Sequence, residues 1–124
     1  MGEMILLIED EANIAEALSF ILGREGWQTE IHADGATAFE RVRTLRPAAV
    51  ILDVMLPGRS GYEILDQMRA DPDFVHLPVL LLTARGQDRD RALAAAHGAS
   101  LFMTKPFSNS EVVASLRQLL GARP

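Results

Sequence analysis

Cysteine is absent from the 124 residues, which excludes disulfides and thiolate metal sites. Long apolar runs are absent too; none approaches the roughly 18 residues that a membrane span needs. There is no basic excess, since the formal charge is −5. A chain this acidic lacks the footprint of a direct nucleic-acid binder. Aromatic residues are scarce, with one Trp and one Tyr. No low-complexity stretch or internal repeat is evident, and the N-terminus lacks the basic and apolar regions of a secretory signal. A cytoplasmic location, away from any membrane, is expected.

What remains is ordinary for a globular protein: 48% of residues are apolar and 23% charged. The length suits one domain with its own core, spanning 1–124 with a packed unit of about 4–120. Gly121-Ala122-Arg123-Pro124 reads as a tail or the start of a linker.

Short apolar runs alternate with helical patterns. Met4 to Ile8 is the first strand, and Ile14, Leu18, Ile21 and Leu22 mark a helix that stops near Gly23 or Gly26. Gln28 to Ala33 alternates as a strand, and Asp34-Gly35 signals a turn. Phe39, Val42 and Leu45 line a second helix ending before Pro47. Ala49 to Leu52 runs as a strand into Asp53. Ile64, Leu65 and Met68 mark the third helix, Val79 to Leu82 the fourth strand, and about Asp88 to Ala96 an Ala-rich fourth helix. A short strand falls near Leu101 to Met103. Ser108-Asn109-Ser110-Glu111 is a capping box opening the last helix. Five strand–helix units in succession predict a doubly wound α/β fold with a parallel sheet.

The reactive side chains fall at strand ends. Glu9 and Asp10 follow strand one, Asp53 ends strand three, Thr83 ends strand four, and Lys105 lies past strand five. Ligands of open α/β sheets sit at the carboxyl ends of the strands, so these groups should converge. Clustered carboxylates repel one another. A hard divalent cation relieves that repulsion, and Mg²⁺ suits carboxylates, waters and a phosphoryl oxygen. Lys105 can hold a phosphoryl oxygen or pair with Asp53 in its absence, and the Thr83 hydroxyl can donate to another oxygen. Asp53 is placed to act as a nucleophile giving an aspartyl-phosphate. Taken singly, each residue has a plainer reading: a strand-end cap for Asp53, a helix-dipole partner for Asp10, a solvated lysine for Lys105.

At this point the sequence resembles the receiver domain of bacterial response regulators, over about Met4 to Leu120. The carrying pieces are Ile8-Glu9-Asp10, Leu52-Asp53-Val54-Met55-Leu56-Pro57-Gly58 with Gly61, Leu82-Thr83-Ala84, and Lys105-Pro106-Phe107. The resemblance implies a flavodoxin-like sheet of order 2-1-3-4-5 and phosphorylation of Asp53 by a histidine kinase or phosphotransfer protein. It implies Asp10 as a direct Mg²⁺ ligand, Glu9 acting through water, and the Met55 backbone carbonyl as a further ligand. Lys105 would contact the phosphoryl group. Thr83 and the aromatic Phe102 would form the switch, Ala84 would leave access, and the Lys105-Pro106 bond would be cis. Met55 and Arg85 flank the site. The surface of helix 4, strand 5 and helix 5 would meet an output domain or partner.

Departures from the family pattern also stand in the sequence. Phe102 lacks the hydroxyl of the common tyrosine. Ser100 and Leu101 replace acidic residues, and Ser115 stands where a basic residue is common. Arg91, Glu111 and Arg117 resemble the rest of a salt-bridge network that pairs receivers as a homodimer. Leu101 is expected to sit exposed and to prefer an apolar partner. His32, His76 and His97 lack metal-ligand spacing, and Trp27 and Tyr62 read as packing or surface residues. Two other functions are open. One is a degenerate receiver that only binds protein. The other is an aspartyl-phosphate phosphatase of the haloacid dehalogenase type, which expects an aspartate where Met55 stands.

Overall fold

The computed structural model describes residues 2–84 and 88–121, apart from the Asp88 side chain. Arg85 and the last three residues lie outside that range. Five strands and five helices follow in alternation: β1 (Met4–Ile8), α1 (Ala12–Arg24), β2 (Gln28–His32), α2 (Ala38–Leu45), β3 (Ala49–Asp53), α3 (Gly61–Ala70), β4 (Val79–Thr83), α4 (Asp88–Ala96), β5 (Leu101–Thr104) and α5 (Asn109–Gly121). The sheet is parallel with order β2-β1-β3-β4-β5, as the resemblance implied.

Strand side chains alternate between faces, and each face has its own core. Leu6, Ile8, Val50, Leu52 and Leu81 pack with Val42 of α2, Ile64, Leu65 and Met68 of α3, and Ala94 of α4. Ile5, Leu7, Ile51, Leu80 and Leu82 pack with Leu18 and Leu22 of α1 and Val112, Leu116 and Leu120 of α5. Burial on both faces explains why β1, β3 and β4 read as unbroken apolar runs.

The topology also locates the crevice. After β1 the chain passes outward to β2 and then returns to β3 on β1's other side. The strand order therefore reverses between β1 and β3, the place where ligands of such sheets bind. Glu9, Asp10 and Asp53 lie at that edge.

Two local expectations, for β2 and Leu101, need correction. β2 ends at His32, one residue short of Ala33. The turn signalled by Asp34-Gly35 is present: Asp34 opens a 3₁₀ turn over Gly35–Thr37, its carboxylate accepting the Ala36 N–H at 3.1 Å. That bond draws the chain away from the ladder. Leu101 is half-buried against the core shared with α1 and α5, where its side of the β5 pleat is covered.

The capping box at α5 is formed. The Ser108 hydroxyl accepts the Glu111 N–H at 3.2 Å, and Glu111 accepts the Ser108 N–H at 2.9 Å. A second box, unread in the sequence although Ser60-Gly61-Tyr62-Glu63 fits the pattern, opens α3.

Candidate functional site

Glu9 is held rigidly. Its N–H donates to the His32 carbonyl at 3.1 Å, extending the β1–β2 ladder by one rung. Its side chain is only 2% exposed. Oε2 accepts the Glu11 N–H at 3.2 Å. Oε1 has no hydrogen-bond partner and stands 3.2 Å from Lys105 Nζ. That contact is an ion pair between two largely buried groups. Burial, reinforced by the neighbouring Asp53 carboxylate, pushes Glu9 up to about 7.

Asp53 is 3% exposed. Its Oδ1 accepts the Met55 N–H at 3.3 Å, and its Oδ2 lies 3.3 Å from Lys105 Nζ. Asp10 is exposed at the rim. One carboxylate oxygen from each of Glu9, Asp10 and Asp53 falls within 4.8 Å of the others.

Lys105 follows β5, its N–H donating to the Thr83 carbonyl at 2.7 Å. The peptide bond to Pro106 is cis. The ammonium meets three carboxylates: Glu9, Asp53 and, at 3.4 Å, Glu11. Burial alone pulls such a group down, but the Asp53 and Glu9 charges outweigh it and hold Lys105 above its ordinary value. Thr83 is buried at the end of β4, in register with Thr104. All five strand-end residues singled out in the sequence therefore stand at one edge.

Glu11 was not singled out. It occupies the position before α1, yet its side chain caps no helix N–H; it turns instead to Lys105. Glutamate is a poor capping residue, and that mismatch was the available signal.

Phe102 is half-buried against the core beneath α2, α3 and α4, with the Arg91 guanidinium 5.2 Å above its ring. Arg117 pairs with Glu25, the residue that ends α1, and Glu111 is engaged in the α5 cap. The three charges on this surface thus have partners within the chain. His97 Nδ1–H donates a 2.6 Å hydrogen bond to Asp66 Oδ1, and its ring lies against Tyr62, ring centroids 4.8 Å apart. Both are packing roles. Trp27 packs against the core of α1 and α5.

The donor set fits a hard cation. It is all oxygen, three carboxylates converge, and the buried Glu9 Oε1 lacks a hydrogen-bond donor. Lys105 supplies one positive charge against several negative ones.

Comparison with known proteins agrees with this geometry. The model of the response regulator receiver domain family matches residues 5–117. TcrX of Mycobacterium tuberculosis is 43% identical over 116 residues, covering 94% of this chain and 49% of TcrX. The DNA-binding response regulator MtrA of Mycobacterium leprae is 39% identical over 120 residues, covering 97% of this chain and 52% of MtrA. The chain thus spans about half the length of these relatives. Among solved structures, the receiver domain of sensor histidine kinase PA1611 from Pseudomonas aeruginosa superposes with a TM-score of 0.89 at 28% identity, covering 98% of this chain and 99% of that one. That structure has a magnesium ion coordinated in its active-site cleft. With the sheet order, the site edge and the family match in agreement, the chain belongs to the response regulator receiver domains, the signalling modules of two-component systems.

Proposed function

We propose that Asp53 accepts a phosphoryl group from a histidine of a partner kinase or phosphotransfer protein, in a Mg²⁺-dependent reaction. The observation that carries this reading is the Lys105 ammonium 3.3 Å from Asp53 Oδ2, with the Glu9 and Asp10 carboxylates gathered beside it. A carboxylate oxygen of Asp53 attacks phosphorus while the bond to the donor imidazole nitrogen breaks. That nitrogen keeps the electron pair and takes up a proton, leaving a neutral imidazole.

Asp10, Asp53 and the Met55 backbone carbonyl would hold Mg²⁺, with Glu9 acting through water. When bound, the ion neutralises charge on the phosphoryl oxygens. Lys105 holds a phosphoryl oxygen, exchanging part of its carboxylate contacts for that new anion. The Thr83 hydroxyl donates to another. Thr83 and Phe102 act as the switch, moving together to change the α4–β5–α5 surface. The phosphatase reading is disfavoured by Met55, which has no carboxylate to serve as acid or base.

The output stays with a partner or a further domain. MtrA is a DNA-binding regulator, but an acidic receiver of charge −5 is not the surface that meets DNA. We read the chain as one receiver unit in the cytoplasm. Among the described residues no helix is long and apolar enough to cross a membrane. A homodimer through α4–β5–α5 would rest on apolar contacts more than on ion pairs, because Arg91, Glu111 and Arg117 are engaged within the chain.

The test is incubation with acetyl phosphate and Mg²⁺. Wild type should take up label with Mg²⁺ and none when EDTA is present from the start, and Asp53→Asn should take up none. Undiminished labelling of Asp53→Asn would refute the assignment. Sustained turnover of a phosphate ester would favour the phosphatase reading, and failure to bind Mg²⁺ the protein-binding one.

A further inference from the structure

In the loop leaving Asp53, Val54 and Leu56 pack on the core, and Val54 donates to the Leu82 carbonyl at 3.0 Å while accepting the Gly61 N–H at 2.9 Å. Met55 between them is 75% exposed. A second hold on this loop comes from the turn after β2. Gly35 is buried, and its N–H donates to the Pro57 carbonyl at 3.0 Å. A Cβ on Gly35 would lie 2.2 Å from the Arg59 carbonyl oxygen and 2.8 Å from that of Pro57. From the other side, Gly58 has φ +82°, and its Cβ would lie 2.9 Å from Asp34 Oδ1 and 3.1 Å from Ala36. Each glycine backs into the other's segment, and neither side has room for a methyl group.

The turn is itself braced. Asp34 accepts the Ala36 N–H at 3.1 Å through Oδ1 and the Thr37 hydroxyl at 3.2 Å through Oδ2. The single hydroxyl proton of Thr37 is thereby used. His32 Nε2, 2.8 Å away, must then be the protonated ring nitrogen and donate to Thr37. The His32 carbonyl in turn accepts the Glu9 N–H at 3.1 Å. At the far end Met55 donates to Asp53 at 3.3 Å. A continuous path therefore leaves the acidic cluster at Glu9 and returns to it at Asp53. It runs through His32, Thr37, Asp34, Gly35 and the Pro57–Arg59 backbone.

We infer that the Asp34–Thr37 turn, interlocked with Pro57–Arg59 through Gly35 and Gly58, positions the Met55 backbone for cation binding, with Thr37 as the positioning residue that tightens it. This rests on the reading of Glu9, Asp10, Asp53 and the Met55 carbonyl as the Mg²⁺ site. Thr37 and His32 touch no reacting group; they act through the loop, as outer-shell groups act on metal ligands.

The experiment is a calorimetric Mg²⁺ titration of the intact protein, with amide hydrogen exchange at Gly35 measured without metal. Thr37→Val removes the hydroxyl at constant shape. It should weaken Mg²⁺ binding about 10-fold, the low end for outer-shell substitutions, and speed Gly35 exchange. Thr37→Ser should restore both. Thr37→Val binding Mg²⁺ like wild type would overturn the inference. So would equal losses in Thr37→Val and Thr37→Ser, or unchanged Gly35 exchange. Asp10→Asn separates the two levels: wild type giving no heat beyond Asp10→Asn would refute the metal site itself, and the positioning role with it.

Discussion

Lys105 reaches Asp53 across an intervening strand. The two residues extend β5 and β3, β4 lies between them, and the ammonium still stands 3.3 Å from Asp53 Oδ2. The same ammonium lies 3.2 Å from Glu9 Oε1. One lysine, with a side chain only 17% exposed, is thus counter-ion to two buried carboxylates. Several outcomes depend on that arrangement.

Removing Lys105 should destabilise the metal-free protein. Lys105→Ala leaves Glu9 and Asp53 buried beside each other without a cation. Stripping one partner from a buried ion pair costs several kcal/mol, and partial solvent access to Lys105 reduces that to about 2 kcal/mol. Urea denaturation without Mg²⁺ should show the loss. Added Mg²⁺ should recover part of it, since a ligand bound only by the folded state stabilises that state.

Removing a carboxylate should do the reverse. Glu9, Asp10 and Asp53 present oxygens within 4.8 Å of one another. Asp10→Asn relieves that repulsion and should stabilise the metal-free protein, by on the order of 1 kcal/mol. The same change should weaken Mg²⁺ binding in a calorimetric titration. Gain of stability with loss of affinity is the signature of a strained functional site.

The two capping boxes give a prediction independent of the site. Ser60→Ala and Ser108→Ala should each cost about 1 kcal/mol in urea denaturation. α3 and α5 pack on opposite faces of the sheet, so the double variant should show the sum of the two losses.

The sequence made the buried strands and their helices legible because burial leaves a compositional trace. β1 is apolar throughout, β3 and β4 are apolar up to their last residues, Asp53 and Thr83, and the boundaries of α4 came out as Asp88 and Ala96 despite its weak apolar face. β2, an edge strand with three half-buried residues, left a fainter pattern, and its end was misplaced by one residue. Leu101 was misjudged because which side of a short edge strand is covered depends on how α5 folds back over it and on α1, which is distant in sequence. The strand-end residues were legible as a set because parallel topology sends every carboxyl end to one edge. Glu11 was not, since its meeting with Lys105 depends on how the loop after β5 turns back toward α1. The interlock of Gly35 with Pro57 and Arg59 was hidden for the same reason: nothing local in either segment announces the other.

The central claim is that Asp53 is the carboxylate that carries the phosphoryl group. The most direct measurement is borohydride trapping of the acetyl phosphate-treated protein, followed by peptide mass mapping. Reduction of an aspartyl-phosphate converts that residue to homoserine. The account predicts homoserine at position 53 alone, formed only when Mg²⁺ was present. Homoserine at another aspartate, with position 53 unchanged, would contradict it.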